Sequence, residues 1–319
     1  MATRRRALAS AGAFAAGALL PDLASAKPAR AGGFLPAGVP LLGFNDEFRT
    51  NPLLTAVVKT ARVTAPVRPS DPSFKSLVQV LDVASFAGSG VLLAHYTDPS
   101  VEPPSPEEFG EAVSVALRCA GPECGEAVAR IEGIEVWNEP NIPEFGGLPP
   151  DYVAALCRAA LEARTDPSVP VIAGGLFCGG EGWQEYLAQL RDLTPPEVDL
   201  AVHSYAFNAS PKRVLARCLG DLREARRIAG PRGLWLTEYG FTTLGARHTE
   251  RTQRASAKEI IRKASKLRLR GAFYYRLMDD PGDIFYGYGA VREDGTPKAV
   301  FRYLARTAAS RVLSSENGV

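Results

Sequence analysis

Short apolar segments recur along the chain at a nearly constant interval, and polar segments separate them. Eight of these apolar segments predict strands, at positions 40–44, 62–67, 91–95, 134–138, 169–174, 198–204, 234–238 and 271–276. Polar and apolar residues do not alternate within them, which indicates parallel strands covered on both faces. Amphipathic segments fill the intervals and predict helices over 109–117, 152–163, 183–190, 211–228 and 252–269.

The order of strand then helix, repeated along the chain, predicts the fold class. Eight βα units of about 30–40 residues fill the segment 32–319 and favour an α/β fold with one catalytic domain, a single (β/α)8 TIM barrel. A doubly wound open sheet is the alternative, but it requires a glycine-rich loop after the first strand, and residues 44–47 contain no glycine. Beyond the eighth strand, residues 286–298 predict a short hairpin and 299–309 a last helix.

The composition excludes several classes of protein. The 319 residues are 46% hydrophobic and 23% charged, which is typical of a soluble globular protein. Because 37 basic and 35 acidic residues leave a formal net charge of +2, the overall charge does not indicate a nucleic-acid partner. We expect a monomer that binds no nucleic acid.

The N-terminus has the pattern of an export signal. Arginines at positions 4–6 precede an Ala-rich apolar run over 7–20, and small residues follow at 24–26. The paired arginines resemble a twin-arginine signal, so we expect residues 1–31 to be a signal peptide. Cleavage is expected after Ala26 or Ala31, and the mature protein is expected to be secreted or periplasmic. An uncleaved tail or membrane anchor is the alternative, but a run of about 14 residues is shorter than the roughly 20 that span a bilayer.

The cysteines do not form a metal-binding pattern. They are Cys119, Cys124, Cys157, Cys178 and Cys218. None forms a Cys-x-x-Cys pair or clusters with a histidine, so no metal and no organic cofactor is expected. Export permits a disulfide between Cys119 and Cys124. The equally weighted alternative is that all five cysteines are reduced and packed as small buried hydrophobic residues.

Two glutamates at strand ends carry the strongest chemical signal. Glu139 follows the fourth strand in the segment EVWNEPN (135–141), and Glu238 ends the seventh in LWLTEYG (234–240). Catalytic side chains of parallel barrels sit at the carboxyl ends of strands, and two facing carboxyl groups can cleave a glycosidic bond. A separation of about 5–5.5 Å predicts a covalent intermediate and retention. Two surface salt-bridge glutamates are the alternative, and apolar strands running into both disfavour it.

The two motifs and the eight-unit rhythm resemble clan A of the glycoside hydrolases, and within it the β-xylosidase-type branch. The resemblance implies that Glu139 is the general acid/base and Glu238 the nucleophile of a retaining enzyme. Glu238 must then be ionised and Glu139 protonated when the reaction starts. The resemblance also implies that Asn138 binds the sugar 2-hydroxyl, and loop backbone groups are its alternative partners.

Strands six and two supply further candidates by the same resemblance. His203 and Tyr205 are alternate residues that can face the barrel mouth, and they are similar to the clan's His-x-Tyr pair, whose tyrosine orients the nucleophile. A packed, hydrogen-bonded histidine is the alternative for His203. The clan also has an arginine that holds the nucleophile ionised. Arg62 matches it, and Arg68 competes for the assignment.

Aromatic side chains near strand ends are expected to stack on sugar rings. The candidates are Tyr96, Phe145, Trp183, Tyr205, Tyr239, Tyr275 and Tyr286. His95, at the end of strand three, is a further candidate for contacting the sugar before the cleaved bond. The clan often carries a tryptophan at strand eight, whereas this chain reads AFYYR over 272–276, so Tyr275 is the expected substitute.

The sequence thus predicts an exported retaining glycoside hydrolase that acts on a β-linked oligo- or polysaccharide in an open groove. Arg276 either recognises an acidic or substituted sugar or pairs with Asp279 or Asp280. A non-catalytic carbohydrate-binding barrel is one alternative, although it should lack at least one of the two glutamates. A transglycosylase using the same residues is the other.

Overall fold

Eight parallel strands close into a barrel in the computed structural model, which describes residues 40–45, 60–86, 88–123, 128–207, 209–282 and 285–316. The strands are β1 Leu41–Asn45, β2 Thr60–Ala65, β3 Gly90–His95, β4 Arg130–Asn138, β5 Val171–Phe177, β6 Asp199–Ser204, β7 Leu234–Tyr239 and β8 Gly271–Tyr275. Each strand pairs with its sequence neighbours, and β1 pairs with β8. The predicted TIM barrel is confirmed, and the open sheet is wrong.

Seven helices are described around the barrel. They are α1 Phe74–Phe86, α2 Pro106–Cys119, α3 Pro150–Ala163, α4 Trp183–Leu193, α5 Pro211–Ala229, α6 Glu250–Lys266 and α7 Ala299–Glu316. Helix α1 has no counterpart among the predicted helices. At the start of α2, Ser105 and Glu108 form a reciprocal capping box. Within the described part of the chain, none of the helices has the length and apolar character needed to cross a bilayer.

The lower part of the barrel interior is an apolar layer. It consists of Leu92, Ile172, Ala201, Trp235 and Phe273, which come from five different strands. Two glycines make room for its rings: a Cβ on Gly271 would lie 2.4 Å from the ring of Trp235, and one on Gly43 would lie 2.6 Å from the ring of Phe273. Since Trp235 lies near the start of β7, this layer fills the barrel below the strand ends.

The outer faces of the strands pack against the helices and form most of the remaining core. Val136, Leu156 and Leu190 are fully buried there, and each such side chain contributes roughly 1.5–3 kcal/mol of transfer free energy. Cys157, Cys178 and Cys218 are also buried, and burial raises the pKa of the Cys157 thiol to about 12.

Three further sequence predictions concern the segment after β8, the signal segment and the Cys119–Cys124 disulfide. Beyond β8, Val291 forms an antiparallel bridge with Pro297, and α7 follows as expected for the predicted hairpin and last helix. The predicted signal segment 1–31 lies outside the described residues. Cys124 also lies outside them, so its pairing with Cys119 stays a prediction.

Candidate active site

The end of β4 turns two consecutive side chains into the barrel mouth. Neighbouring residues of a regular strand point to opposite faces, yet Asn138 and Glu139 both make contacts inside the barrel. Trp137 and Glu139 have positive φ values of 73° and 45°, which is uncommon for residues other than glycine and costs on the order of 1–3 kcal/mol each. The Trp137 ring packs in the outer core, and its Nε1 donates to the Phe145 carbonyl at 2.8 Å.

A register shift turns two consecutive side chains of β7 toward the barrel interior as well. The ladder between β6 and β7 shifts after Val202, so His203 pairs with Glu238 and not with Thr237. As a result, two consecutive residues reach interior partners: Thr237 Oγ1 donates to Glu135 Oε1 at 2.8 Å, and Glu238 contacts Arg62. The bulge therefore brings the predicted nucleophile to the mouth without removing Thr237 from the interior.

Three donors converge on the Glu238 carboxylate. Arg62 Nη1 and Asn45 Nδ2 each donate to Oε1 at 2.7 Å, and the Tyr205 hydroxyl donates to Oε2 at 2.9 Å. Charge-assisted hydrogen bonds of this kind stabilise the ionised carboxylate and fix its orientation. Arg68, the competing arginine, lies elsewhere and contacts the Glu102 carbonyl.

Arg62 connects Glu238 with the interior of the barrel. Its Nε donates to Glu135 Oε2, and its Nη2 donates to Asn138 Oδ1 at 2.8 Å. Burial opposes a charged guanidinium, but the charges of Glu135 and Glu238 raise the pKa of Arg62 above its usual value. Burial likewise opposes ionisation of Glu135, yet the charge of Arg62 and the proximity of His203 lower the pKa of Glu135 to about 2.

His203 lies beneath Glu139 and is fully buried. Its Nδ1 is 2.8 Å from Glu139 Oε1, and its Nε2 is 3.0 Å from Thr237 Oγ1. Burial disfavours the charged imidazole, but the charge of Glu238 and the contacts with Glu135 and Glu139 raise the pKa of His203 to about 9. A protonated His203 therefore donates from both ring nitrogens, which holds the Glu139 carboxyl in place.

Burial raises the pKa of Glu139, and the nearby charge of Glu238 adds to this effect while His203 opposes it. One oxygen of Glu139, one oxygen of Glu238 and a nitrogen of His203 all lie within 4.8 Å of one another. Two carboxylates and an imidazole are also a possible ligand set for a metal ion. The positive charge of Arg62, which donates to Glu238 Oε1, disfavours a divalent cation at this place.

Two of the predicted aromatic residues border this cluster. Tyr275 meets Tyr205 edge to face, with ring centroids 6.0 Å apart. Tyr96 accepts a hydrogen bond from Thr64 at 3.0 Å, and its ring contacts Phe145. Tyr205 donates to Glu238, and the charges of Arg62 and Glu238 act on the Tyr96 hydroxyl, so both Tyr275 and Tyr96 lie close to the cluster.

Arg276 lies beside Tyr275 at the end of β8. Its Nη1 is 4.0 Å from Asp280, whereas Asp279 pairs with Lys298 at 2.6 Å. Of the two predicted acidic partners, Asp280 is therefore the one near Arg276.

Three predicted site residues lie in the core and not beside the two glutamates. His95 donates from Nδ1 to the Pro66 carbonyl at 2.6 Å, packs against Phe109 of α2, and has its pKa lowered to about 4 by burial. Trp183 is the first residue of α4 and only 4% exposed. Tyr239 is 1% exposed.

Three residues of the cluster were absent from the sequence-based predictions: Asn45, Glu135 and Thr237. Glu135 carried the clearest signal, since it is an acidic residue within the apolar segment 134–138. Asn45 follows the first predicted strand directly, where parallel barrels place functional side chains. Thr237 had no comparable signal, because its position depends on the bulge in β7.

Solved structures share this architecture, although no protein-family model and no curated protein matches the chain. A fungal β-1,4-galactanase superimposes with a TM-score of 0.63 at 15% identity, over 84% of this chain and 99% of that one. A family 17 β-1,3-glucanosyltransferase from Rhizomucor miehei gives 0.61 at 11% identity, over 82% and 96%. The chain shares its fold with glycoside hydrolases.

A larger enzyme has the same barrel. A family 39 glycoside hydrolase from the gut symbiont Bacteroides cellulosilyticus WH2 superimposes with a TM-score of 0.59 at 16% identity, over 85% of this chain. The match covers only 64% of that enzyme, which is less than two thirds of its length. The likeness concerns the fold, and the similarity to the β-xylosidase-type branch stays a prediction.

Proposed function

We propose that this protein is a retaining glycoside hydrolase that cleaves β-linked oligo- or polysaccharides, with Glu238 as nucleophile and Glu139 as general acid/base. The observation that carries the proposal is that one oxygen of Glu139 and one oxygen of Glu238 lie within 4.8 Å of each other. The surroundings of the two carboxyl groups favour opposite protonation states. Glu238 accepts three hydrogen bonds, one from an arginine, while burial raises the pKa of Glu139. The short distance between one oxygen of each group supports retention, because the carboxyl groups of inverting enzymes are about 6.5–9.5 Å apart, which leaves room for a water molecule.

In the first step, a Glu238 oxygen attacks the anomeric carbon and the bond from that carbon to the leaving oxygen breaks. The Glu139 proton passes to the leaving oxygen, which departs as an alcohol. Arg62, Asn45 and Tyr205 hold the attacking carboxylate in position. Restricting the nucleophile to one orientation lowers the entropic part of the barrier.

In the second step, Glu139 removes a proton from water, and the water oxygen displaces Glu238 from the anomeric carbon. Glu238 is then an ester and carries no charge. Since the charge of Glu238 raises the pKa of Glu139, loss of that charge lowers it. His203, which contacts Glu139 Oε1, also favours the ionised form that must act as base.

Transglycosylation is a second candidate, in which an acceptor sugar replaces water in the second step. The fold likeness to a β-1,3-glucanosyltransferase favours testing it. A non-catalytic carbohydrate-binding barrel is less consistent with the site, because both glutamates are present and embedded in a continuous hydrogen-bond network.

A panel of β-linked glycans tests the proposal with three variants. The wild type should hydrolyse at least one glycan, and Glu238→Gln and Glu139→Gln should lower kcat, by about 10⁴-fold or more for the nucleophile. Glu144→Gln is the matched control, because Glu144 is an exposed glutamate in the 3-10 helix after β4. Activity on no glycan, or activity that survives Glu238→Gln, would contradict the proposal. Added acceptor sugars reveal transglycosylation as longer products.

We also propose that the enzyme is exported by a twin-arginine-type signal. Arginines 4–6, the apolar run 7–20 and the small residues at 24–26 support this. Expression of the full sequence in a bacterium with and without a functional twin-arginine translocase tests it. Export in both strains, or in neither, would contradict the proposal.

A further inference from the structure

A second cleft opens next to the candidate active site, between the loops that follow β6, β7 and β8. Its volume is about 820 Å³, within the range of sites that hold small molecules. The lining residues are at positions 206, 207, 209, 210, 213 and 214, at 242 and 244–248, and at 286 and 288. The active-site glutamates are not among them, so the cleft is a separate feature of the same barrel face.

Hydrogen bonds between the loops give this cleft defined walls. His248 Nε2, in the loop after β7, donates to the Ala209 carbonyl in the loop after β6 at 3.1 Å. The Thr243 backbone N–H donates to the Gly287 carbonyl in the loop after β8 at 3.0 Å. The three loops are therefore connected around the cleft.

The charge of the cleft is positive. Arg213 and Arg247 line it and are exposed, whereas no aspartate or glutamate is among the lining residues. Among the described residues, neither arginine forms an ion pair. Guanidinium groups bind planar or tetrahedral anions through two parallel hydrogen bonds, so this pair suits a carboxylate or a sulfate.

An exposed aromatic ring connects the cleft with the nucleophile. Phe207 lines the cleft and is 42% exposed. Its ring stacks on Tyr205, with centroids 6.0 Å apart and an interplanar angle of 14°. Because Tyr205 donates to Glu238, a single aromatic side chain separates Phe207 from the nucleophile. Exposed aromatic faces stack on the C–H faces of sugar rings.

We propose that this cleft is a subsite for an anionic sugar residue of the substrate. Arg213 and Arg247 bind its carboxylate or sulfate group, and Phe207 supports its ring. This inference rests on the proposed glycosidase function and narrows its substrate class to glycans that carry negative charge. It assigns charge selection to Arg213 in the first turn of α5 and to Arg247 in the loop after β7, outside the pair of catalytic glutamates.

Binding to a glycan array tests the subsite without any reaction. The array holds β-linked oligosaccharides in three matched forms: with uronic acid carboxylates, with those carboxyl groups reduced to neutral alcohols, and with sulfate esters. The Glu238→Gln protein is the probe, since it should bind substrates without cleaving them. We expect it to bind at least one anionic form more tightly than the matched neutral glycan, and the carboxylate and sulfate arms identify the preferred anion.

The double substitution Arg213→Gln/Arg247→Gln in this protein should weaken anionic glycan binding by about 10-fold or more and leave neutral glycan binding unchanged. Arg223→Gln/Arg254→Gln is the control, because it removes the same charge from exposed positions of α5 and α6 outside the cleft. The control variant should retain the charge preference, and thermal unfolding should show that both variants fold.

Three results would overturn the subsite: no preference for anionic over neutral glycans, an unchanged preference after the double substitution, or an equal loss in the control variant. Failure of the proposed function looks different. In that case the wild type hydrolyses none of the array glycans, whether or not charge-selective binding that depends on Arg213 and Arg247 is observed.

Discussion

The barrel interior contains an apolar layer and, toward the carboxyl ends of the strands, a charged layer. The apolar layer, defined above, is stabilised by the removal of hydrocarbon surface from water. The charged layer consists of Arg62, Glu135, His203, Glu139 and Glu238, all of which are buried. Burying such groups costs free energy that ion pairs repay only partly. Under the proposed function, the charged upper layer positions the reacting groups, and the apolar lower layer stabilises the fold.

The charges of the upper layer balance in one protonation state. With Arg62 and His203 positive and Glu135 and Glu238 negative, the layer is neutral when Glu139 carries a proton. The raised pKa of Glu139 agrees with this state. In the proposed reaction, this state already holds the proton that the first step delivers to the leaving group.

Removing one charge from the upper layer should have the largest effect on stability. Glu135→Gln keeps the shape of the side chain but removes the carboxylate that pairs with Arg62 Nε and lies 3.7 Å from His203 Nε2, which leaves Glu238 as the remaining ion-pair partner of Arg62 in the cluster. Breaking a buried ion pair in this way costs about 3–5 kcal/mol. Chemical denaturation at pH 7 measures the loss, and a variant as stable as the wild type would contradict the role assigned to Glu135.

The pH dependence of the unfolding free energy distinguishes the charged layer from the apolar layer. The pKa of Glu135 is lowered from 4.5 to about 2, so its stabilising contribution is complete above pH 4.5 and is lost as the pH falls toward 2. The pKa of His203 is raised from 6.5 to about 9, so its contribution is complete below pH 6.5 and is lost as the pH rises toward 9. These two groups predict maximal unfolding free energy between pH 4.5 and 6.5. In the variant Glu135→Gln, the unfolding free energy should fall less steeply as the pH drops from 4.5 toward 2.

A smaller effect is expected at Gly175, which gives the charged layer its space. A Cβ on Gly175 would lie 2.0 Å from His203 Nε2 and 2.6 Å from Glu135 Oε1. Gly175→Ala should therefore displace His203, destabilise the fold by about 1–3 kcal/mol and lower kcat. Gly220→Ala, in α5 with no close neighbour, is the control. Equal activity of the two variants would show that the position of His203 is unimportant.

The smallest effect is expected in the apolar layer. Ile172→Val removes one fully buried methylene group, which typically costs about 0.5–1.5 kcal/mol. The loss should be the same from pH 4.5 to 9, and activity should not change, because no titrating group is touched. A pH-dependent loss in this variant would mean that the two layers are not separate.

Most of the architecture could be predicted from the sequence. Parallel strands are buried on both faces, so their apolar segments stand out from the amphipathic helices between them. The sequence also predicted residues that the structure brings together, since Glu139, Glu238, Arg62 and Tyr205 lie within one hydrogen-bonded cluster. Glu139, Glu238 and Tyr205 lie at the end of an apolar segment, whereas Arg62 lies at the start of the segment 62–67.

The remaining features depend on contacts between distant parts of the chain. The bulge in β7 and the positive φ of Trp137 change which side chains face inward, and no local sequence pattern predicts either feature. Glu135 stood out as an acidic residue in an apolar segment, but its position inside the barrel was not predicted, because a period-two pattern assigns a residue to a face only after the register is known. His95 and Trp183 show the converse: both lie near strand or helix ends, but their rings pack in the core.

The stereochemistry of the first product tests the central claim most directly. Proton NMR of the wild-type reaction on a cleaved β-glycan, recorded before mutarotation, shows the anomeric configuration at the new reducing end. Retention, seen as the β-anomer appearing first, is the result expected from carboxylate oxygens within 4.8 Å of each other. The α-anomer appearing first would mean single displacement by water and would contradict Glu238 as the nucleophile.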